Sequence, residues 1–306
     1  MNKLIKQAFT LIELLVVIAI IGILSGLIVV SMGGMTTKAT IAKAQVFSNS
    51  LRNSLMMNIV GEWKFDSITN YTESGGVKTI GTISNNVNDS WGNIHGTASG
   101  GPILKEGSDC VSGSCIQFDG SNDYINLSSN GYGTFNLQTY TISVWVKPLT
   151  LVQKVIWSYD YINHHSPYYA CHLRIEPNGA VSYSWNNGTV AVDLSATSCL
   201  SINNWHNIVV SYKSGEQKIY VNGKLINSSA IVNTVTYYNQ QVWIGGSPNW
   251  SGYINAVIDD VRIYDAAIPT SQIKEHYFAG LNSLYSNGGL TKEEYLSRIN
   301  GTALRN

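Results

Sequence analysis

The sequence predicts an α+β chain: a long N-terminal α-helix, then an all-β antiparallel sandwich, then short C-terminal helices. Three observations predict it. Residues 9–30 read FTLIELLVVIAIIGILSGLIVV, 22 residues whose single charge is Glu13. From Glu62 to about Tyr264 the pattern changes to short β-branched and aromatic runs separated by Gly, Asn, Asp and Ser clusters. No long helical period interrupts those runs, which argues against a parallel βαβ sheet.

A helix over the apolar run would reach roughly 33 Å, enough to cross a bilayer's hydrocarbon core. The leader MNKLIKQA carries Lys3 and Lys6, and its small residue Ala8 stands before the apolar segment. A secretory signal would place its cleavage site after that segment. A carboxylate at Glu13 costs a few kcal/mol inside lipid unless it finds a partner. In a chain beginning at Phe9 it would be the fifth residue, a position that suits the terminal ammonium of another chain. Ile41, Ala44, Leu51, Leu55 and Ile59 continue one apolar stripe, so the helix is expected to run to about Val60. Its length would then be roughly 75–80 Å. Gly22-x-x-x-Gly26 permits either close helix contact or simple flexibility. Gly33-Gly34 is the expected weak point.

The residues QAFTLIELLVVIAIIGIL resemble the class III signal of type IV pilins and pseudopilins. The resemblance implies a leader of residues 1–8, cut between Ala8 and Phe9 by a prepilin peptidase that also methylates Phe9. Ala8 departs from the family's usual Gly, which bears on the exact cut. Residues 9–60 would be the pilin helix, with 9–30 in the membrane and later in a filament core. Glu13 would be neutralised by the Phe9 ammonium of a neighbour. The implied partners are the pilus assembly machinery and further copies of the chain in a helical homopolymer. The implied location is the cytoplasmic membrane for the precursor and a cell-surface filament afterwards.

Lys+Arg and Asp+Glu both total 19, and charged residues are 12% of the chain. Losing Lys3 and Lys6 leaves 17 against 19, a charge of −2. That balance does not suit a nucleic-acid binder, which needs a basic surface. The strand-like runs are ISVWVKP (142–148), KVIWSY (154–159), AVSYSW (180–185), WHNIVVSY (205–212), KIYVNGKLI (218–226), QVWIGG (241–246) and AVIDDVRIY (256–264). Asn222-Gly223 is the strongest hairpin signal among them.

GEWKFDS, DSWGNIHGTA, CIQFDGSNDYINL, TISVWVKP, WHNIVVSYKSGEQKIYVNGKLI and VWIGGSPNWSGYINAVIDDVRIYDAAI resemble, in order, the laminin-G-like, concanavalin-type jelly roll. The resemblance places that domain at residues 61–280, closed by a short helix in TSQIKEHYFAG (270–280). Residues 281–306 form a tail, where Thr291 followed by Glu293-Glu294 marks a helix start.

Four cysteines, all in the outer domain, suit an exported protein and allow three pairings. The short Cys110-to-Cys115 spacing favours that pair, which leaves Cys171 with Cys199. A zinc site using Cys171-His172 and His164-His165 lacks the usual spacing. Calcium is the clearer candidate. In VIDDVRIY, strict alternation would put Asp259 on the face of Val261 and Ile263, where it needs a cation or several hydrogen bonds. The jelly-roll resemblance implies Asp66, Asp89, Asn93 and Asp259 as side-chain ligands for a structural Ca²⁺. Asp119 and Asp123 are a second possibility, and Asx turns the alternative to both.

For a glycan, the loop aromatics Trp250, Tyr168 and Tyr169 are the candidates, whereas Trp63, Trp145, Trp205 and Trp243 lie in strand-like runs and read as structural. Asn187 and Asn249 permit glycosylation. No paired-glutamate, GxSxG, HExxH or P-loop motif occurs, so the chain is expected not to be an enzyme. Two roles follow. One is a structural filament subunit; the other is a scarce minor pilin or pseudopilin that acts as a glycan-binding adhesin or in secretion or DNA uptake.

Overall fold

The computed structural model describes residues 14–22, 58–82, 86–127, 134–161, 169–186, 191–230, 237, 240–248 and 252–303. The chain divides into two units, Met1–Asn49 and Ser50–Asn306. In the first, residues 14–22 are helical, and their large apolar side chains are exposed, from 44% at Val17 to 60% at Leu14. Among the described residues no helix is long and apolar enough to cross a membrane. Ala8, Phe9, Glu13, the Gly33-Gly34 pair and most of the expected helix lie outside the described residues.

The second unit is an antiparallel sandwich. Its strands are β1 (Ile59–Trp63), β2 (Tyr71–Ser74), β3 (Val77–Ile80), β4 (Thr97–Ser99), β5 (Ile103–Glu106), β6 (Ser114–Asp119), β7 (Tyr124–Asn126) and β8 (Tyr140–Pro148). They continue with β9 (Lys154–Tyr161), β10 (Tyr169–Ile175), β11 (Val181–Asn186), β12 (Ala191–Ala196), β13 (His206–Lys213) and β14 (Glu216–Val221). The last are β15 (Lys224–Ala230), β16 (Gln240–Ile244) and β17 (Asn255–Tyr264). Among the described residues ten strands form a back sheet, in the order β15-β14-β13-β8-β17-β6-β5-β3-β2, with β1 added on β17. Seven form a front sheet, β12-β11-β10-β9-β16-β7-β4. Six of the seven strand-like runs fall on single strands, and KIYVNGKLI spans the β14–β15 hairpin. The hairpin at Asn222-Gly223 has positive φ at both residues, 53° and 73°, as a two-residue turn of the primed type requires.

Alternation assigns the faces. Ile142, Val144 and Val146 of β8 meet Trp157, Leu173, Tyr183 and Trp185 of the front sheet in one buried core. A third layer covers part of the back sheet. It comprises α1 (Thr270–Ser286) and α2 (Lys292–Ala303), so the closing helix runs past residue 280. Its core holds Trp145, Trp205, Val257, Tyr277, Leu281 and Leu284. Gly280 lets α1 approach closely, since a Cβ there would stand 2.2 Å from Trp145 Cζ2. Thr291 and Glu294 cap α2 reciprocally: Glu294 N–H donates to Thr291 Oγ1 and Thr291 N–H to Glu294 Oε2.

Two expectations are corrected. A bulge at Asp260 (φ 48°) shifts the register of β17 between Asp259 and Arg262. An extra residue resets the alternation, so Ile258 and Val261 both enter the core. Asp259 therefore shares its face with Val257, under the helical layer, and not with Val261 and Ile263. The second concerns the cysteines. Cys110 and Cys115 are bonded, but Cys171 and Cys199 are free thiols. Cys171 pairs in register with Trp185 at one end of the β10–β11 hairpin. Cys199 N–H donates to Gly179 O at the other end, beyond the Ile175–Val181 pair. Four residues of strand separate the ends by roughly 13 Å, about twice what a disulfide spans. Alkylation of the unreduced native protein is therefore expected to label half-buried Cys199 slowly and buried Cys171 only after unfolding. A recovered Cys171–Cys199 cross-linked peptide would contradict this.

Candidate functional site

The calcium candidates fall in two places. Asp89 folds its own loop: Oδ1 accepts from the N–H groups of Glu62 and Trp91 at 2.9 Å, and Oδ2 from Ile94 N–H at 3.1 Å. Asn93 lies exposed in that loop. Asp259 and Asp66 instead hold the Cys110–Cys115 loop. Asp259 Oδ2 accepts from Val111 and Ser112 N–H at 2.9 and 3.1 Å, and Oδ1 accepts from Asp260 N–H at 2.7 Å. Asp66 Oδ1 accepts from Ser114 N–H at 2.8 Å. Burial and the neighbouring Asp260 push Asp259 well above the usual carboxylate range, against the pull of those N–H groups.

Among the described residues no three His, Cys, Asp or Glu side chains converge as metal ligands. With N–H donors already on both oxygens of Asp89 and of Asp259, the four residues as arranged do not fit a calcium cage. Asp119 and Asp123 also build a turn, Asp123 Oδ2 accepting from Asp119 N–H at 2.9 Å. Burial lifts Asp123 to about 6. Cys171 faces the core and His172 the opposite face of β10, so that pair cannot share a zinc.

Beside the disulfide loop runs an ion network. Glu62 of β1 is opposite Arg262 of β17, whose Nε donates to Glu62 Oε1 at 2.8 Å. The same guanidinium reaches Asp260 Oδ1 at 3.1 Å, and Lys64 Nζ lies 3.6 Å from Glu62 Oε2.

The front sheet has a polar outer face that reading for loop aromatics missed. Register aligns Trp243, Ser158, His172, Ser184 and Asp193 in one row across β16, β9, β10, β11 and β12. Next to it, Asp160 Oδ2 lies 3.6 Å from His172 Nε2 and accepts from Ser247 Oγ at 3.0 Å. Arg174 bridges Ser182, Ser184 and Glu176. Asp160, His172, Ser158 and Ser247 are buried at 1% exposure or less. The signal was available as period two: SYD, HLR and SYSWN each alternate a polar outer residue with an apolar inner one. Of the aromatic candidates, Trp250 and Tyr168 lie outside the described residues, as does the side chain of Tyr169.

Two family models match. One, the prokaryotic N-terminal methylation motif, covers residues 5–29. The other, the concanavalin A-like lectin/glucanases superfamily, covers residues 119–274. Among curated proteins no match is found. Similar solved structures include domain 4 of AbnA, a GH43 extracellular arabinanase from Geobacillus stearothermophilus, in complex with arabinotriose. It is 19% identical over 71% of this chain and 97% of that one, with a TM-score of 0.51. The botulinum neurotoxin serotype D ligand-binding domain in complex with N-acetylneuraminic acid is 16% identical over 76% of this chain, with a TM-score of 0.55. The binding domain of Paraclostridial mosquitocidal protein 1 is 15% identical over 74%, with a TM-score of 0.54. This chain spans 53% of each toxin domain. At these identities the likeness is one of fold. The chain carries the N-terminal methylation motif of type IV pilins and belongs, through its outer domain, to the concanavalin A-like lectin/glucanase superfamily.

Proposed function

We propose that the chain is a type IV pilin-like structural subunit. A prepilin peptidase removes residues 1–8, the apolar helix holds the subunit in the membrane, and assembly machinery polymerises it into a surface filament that displays the jelly roll. The observation that carries this reading is Glu13, alone among apolar residues and five positions into a chain that starts at Phe9. Partnering it with the Phe9 ammonium of a neighbour relieves a cost of a few kcal/mol. Apolar surface on the stalks is covered when subunits associate.

The outer domain is read as a non-catalytic coat. Glu13→Val is expected to leave peptidase cleavage intact and to reduce sheared filaments at least tenfold, as counted by electron microscopy. Filaments at normal abundance from that variant, or an uncleaved leader in the native protein, would sink this reading.

A second reading has its own support in the lectin-like superfamily of the outer domain, whose fold is shared with domains solved with arabinotriose and with N-acetylneuraminic acid. On this reading the protein is a scarce tip adhesin or pseudopilin. Quantitative mass spectrometry of sheared filaments separates the two: a dominant chain is the coat, a trace chain the tip.

A further inference from the structure

The back sheet carries a cavity of about 160 Å³ beside the helical layer, lined by Lys105, Asp109, Gln117, Lys147, Leu149, Asn203 and Val257. Register builds it. Val257 of β17 stands opposite Lys147 of β8 on one side and Gln117 of β6 on the other. Lys105 of β5 pairs with Cys115, two residues before Gln117 and on the same face. Asn203 N–H donates to Pro148 O at 2.7 Å and ties the Asn203 loop down over the end of β8.

Lys147 is the unusual member. On β8 the same face carries buried Trp145, and the position is half-buried. Its ammonium donates to Asp109 O at 3.2 Å and lies 5.4 Å from the centroid of the Trp205 ring. An ammonium has three N–H groups, and this carbonyl is its acceptor among the described residues. Burial pulls Lys147 below the usual lysine range; the Asp109 carboxylate opposes that pull and Lys105 adds to it. Lys105 Nζ is 4.0 Å from Asp109 Oδ2. Two ammoniums against one carboxylate leave the cavity with one positive charge over. Two amide side chains, Gln117 and Asn203, can donate or accept, and Leu149 with Val257 supplies an apolar floor.

We propose that this cavity binds one acidic sugar unit, a hydroxylated ring bearing a carboxylate or a sulfate ester. The anion would sit between Lys105 and Lys147, with ring hydroxyls on Gln117, Asn203 and Asp109 and ring C–H groups on the apolar floor. The volume is below the roughly 300–1,000 Å³ of sites that enclose drug-sized ligands, so one unit fits and a chain does not. The cavity forms within a single subunit and on the sheet opposite the Trp243 row, so it stands or falls apart from the filament and tip readings.

The test is calorimetric titration of the full-length protein in detergent with D-glucuronate, glucose 6-sulfate, glucose and inorganic sulfate. Binding of glucuronate or of glucose 6-sulfate is expected, and which one binds identifies the source of the charge. Either affinity should fall as salt is raised. Lys147→Gln and Lys105→Gln should each weaken binding about tenfold or more. Lys147→Arg should keep most of it. Near-ultraviolet circular dichroism of the variants checks that the Trp205 environment is intact. Equal binding of glucose, equal binding of bare sulfate, failure of both acidic sugars to bind, or unchanged affinity in folded Lys147→Gln and Lys105→Gln each overturns the proposal.

Discussion

Replacing Arg262 by alanine is expected to cost about 3–5 kcal/mol, because a buried pair loses one partner and the other charge stays behind. Glu62 is 1% exposed, and Arg262 meets it at 2.8 Å while also holding Asp260 at 3.1 Å. For a domain of this size the loss corresponds to a drop of roughly 10 °C in Tm. The partner experiment is informative. Glu62→Gln with Arg262→Met removes both charges, and the double variant should recover much of what Arg262→Ala loses. Thermal unfolding of the single and double variants measures the coupling directly. A Tm for Arg262→Ala within about 2 °C of the unaltered protein would show that the network contributes little.

Acid should unfold the outer domain through two histidines that burial keeps neutral. His206 is pushed down to about 4, first by burial and then by Arg298; His276 is pushed down to about 3, by burial and by Arg262. Both sit below the unfolded value of about 6.5. Between those values the unfolded chain binds a proton that the folded chain refuses, so stability is lost as pH falls from about 6.5 towards 3. The two contributions are on the order of 3 and 5 kcal/mol. Asp123 works in the opposite sense. Its folded value of about 6 lies above the unfolded 3.8, so the folded state takes up a proton first and gains stability as pH falls through that window. Asp259, also raised, acts with it. Denaturant melts at pH 7 and pH 4 should show the net loss, and the His206→Gln, His276→Gln double variant should flatten it. An equal loss in that variant would move the cause elsewhere.

Most of the fold was legible because alternation and turn chemistry are local. Asn222-Gly223 needs only its own φ angles to set a hairpin, and TISVWVKP needs only period two to mark a strand. What failed was non-local. Nothing in VIDDVRIY shows that Asp260 is a bulge, since that depends on β17 keeping its pairing with β8 on both sides of the extra residue. Likewise an even number of cysteines cannot reveal that Cys171 and Cys199 lie at opposite ends of one hairpin. The candidate site was half legible for a related reason. Asp66, Asp89 and Asp259 were found as special carboxylates, but their partners are backbone N–H groups, and these carry no side-chain signal. The Lys105–Lys147 cavity joins residues from four strands and three loops, and no stretch of sequence displays it.

The attachment of β1 has a mechanical meaning. The chain enters the outer domain at Ile59 and runs directly into a strand laid antiparallel along β17. Ladder hydrogen bonds stand perpendicular to the strands. A pull directed along β1 would load those bonds in shear, all together, whereas a pull across the strand would peel them one at a time. The Glu62–Arg262 pair lies across the same seam and shares the load.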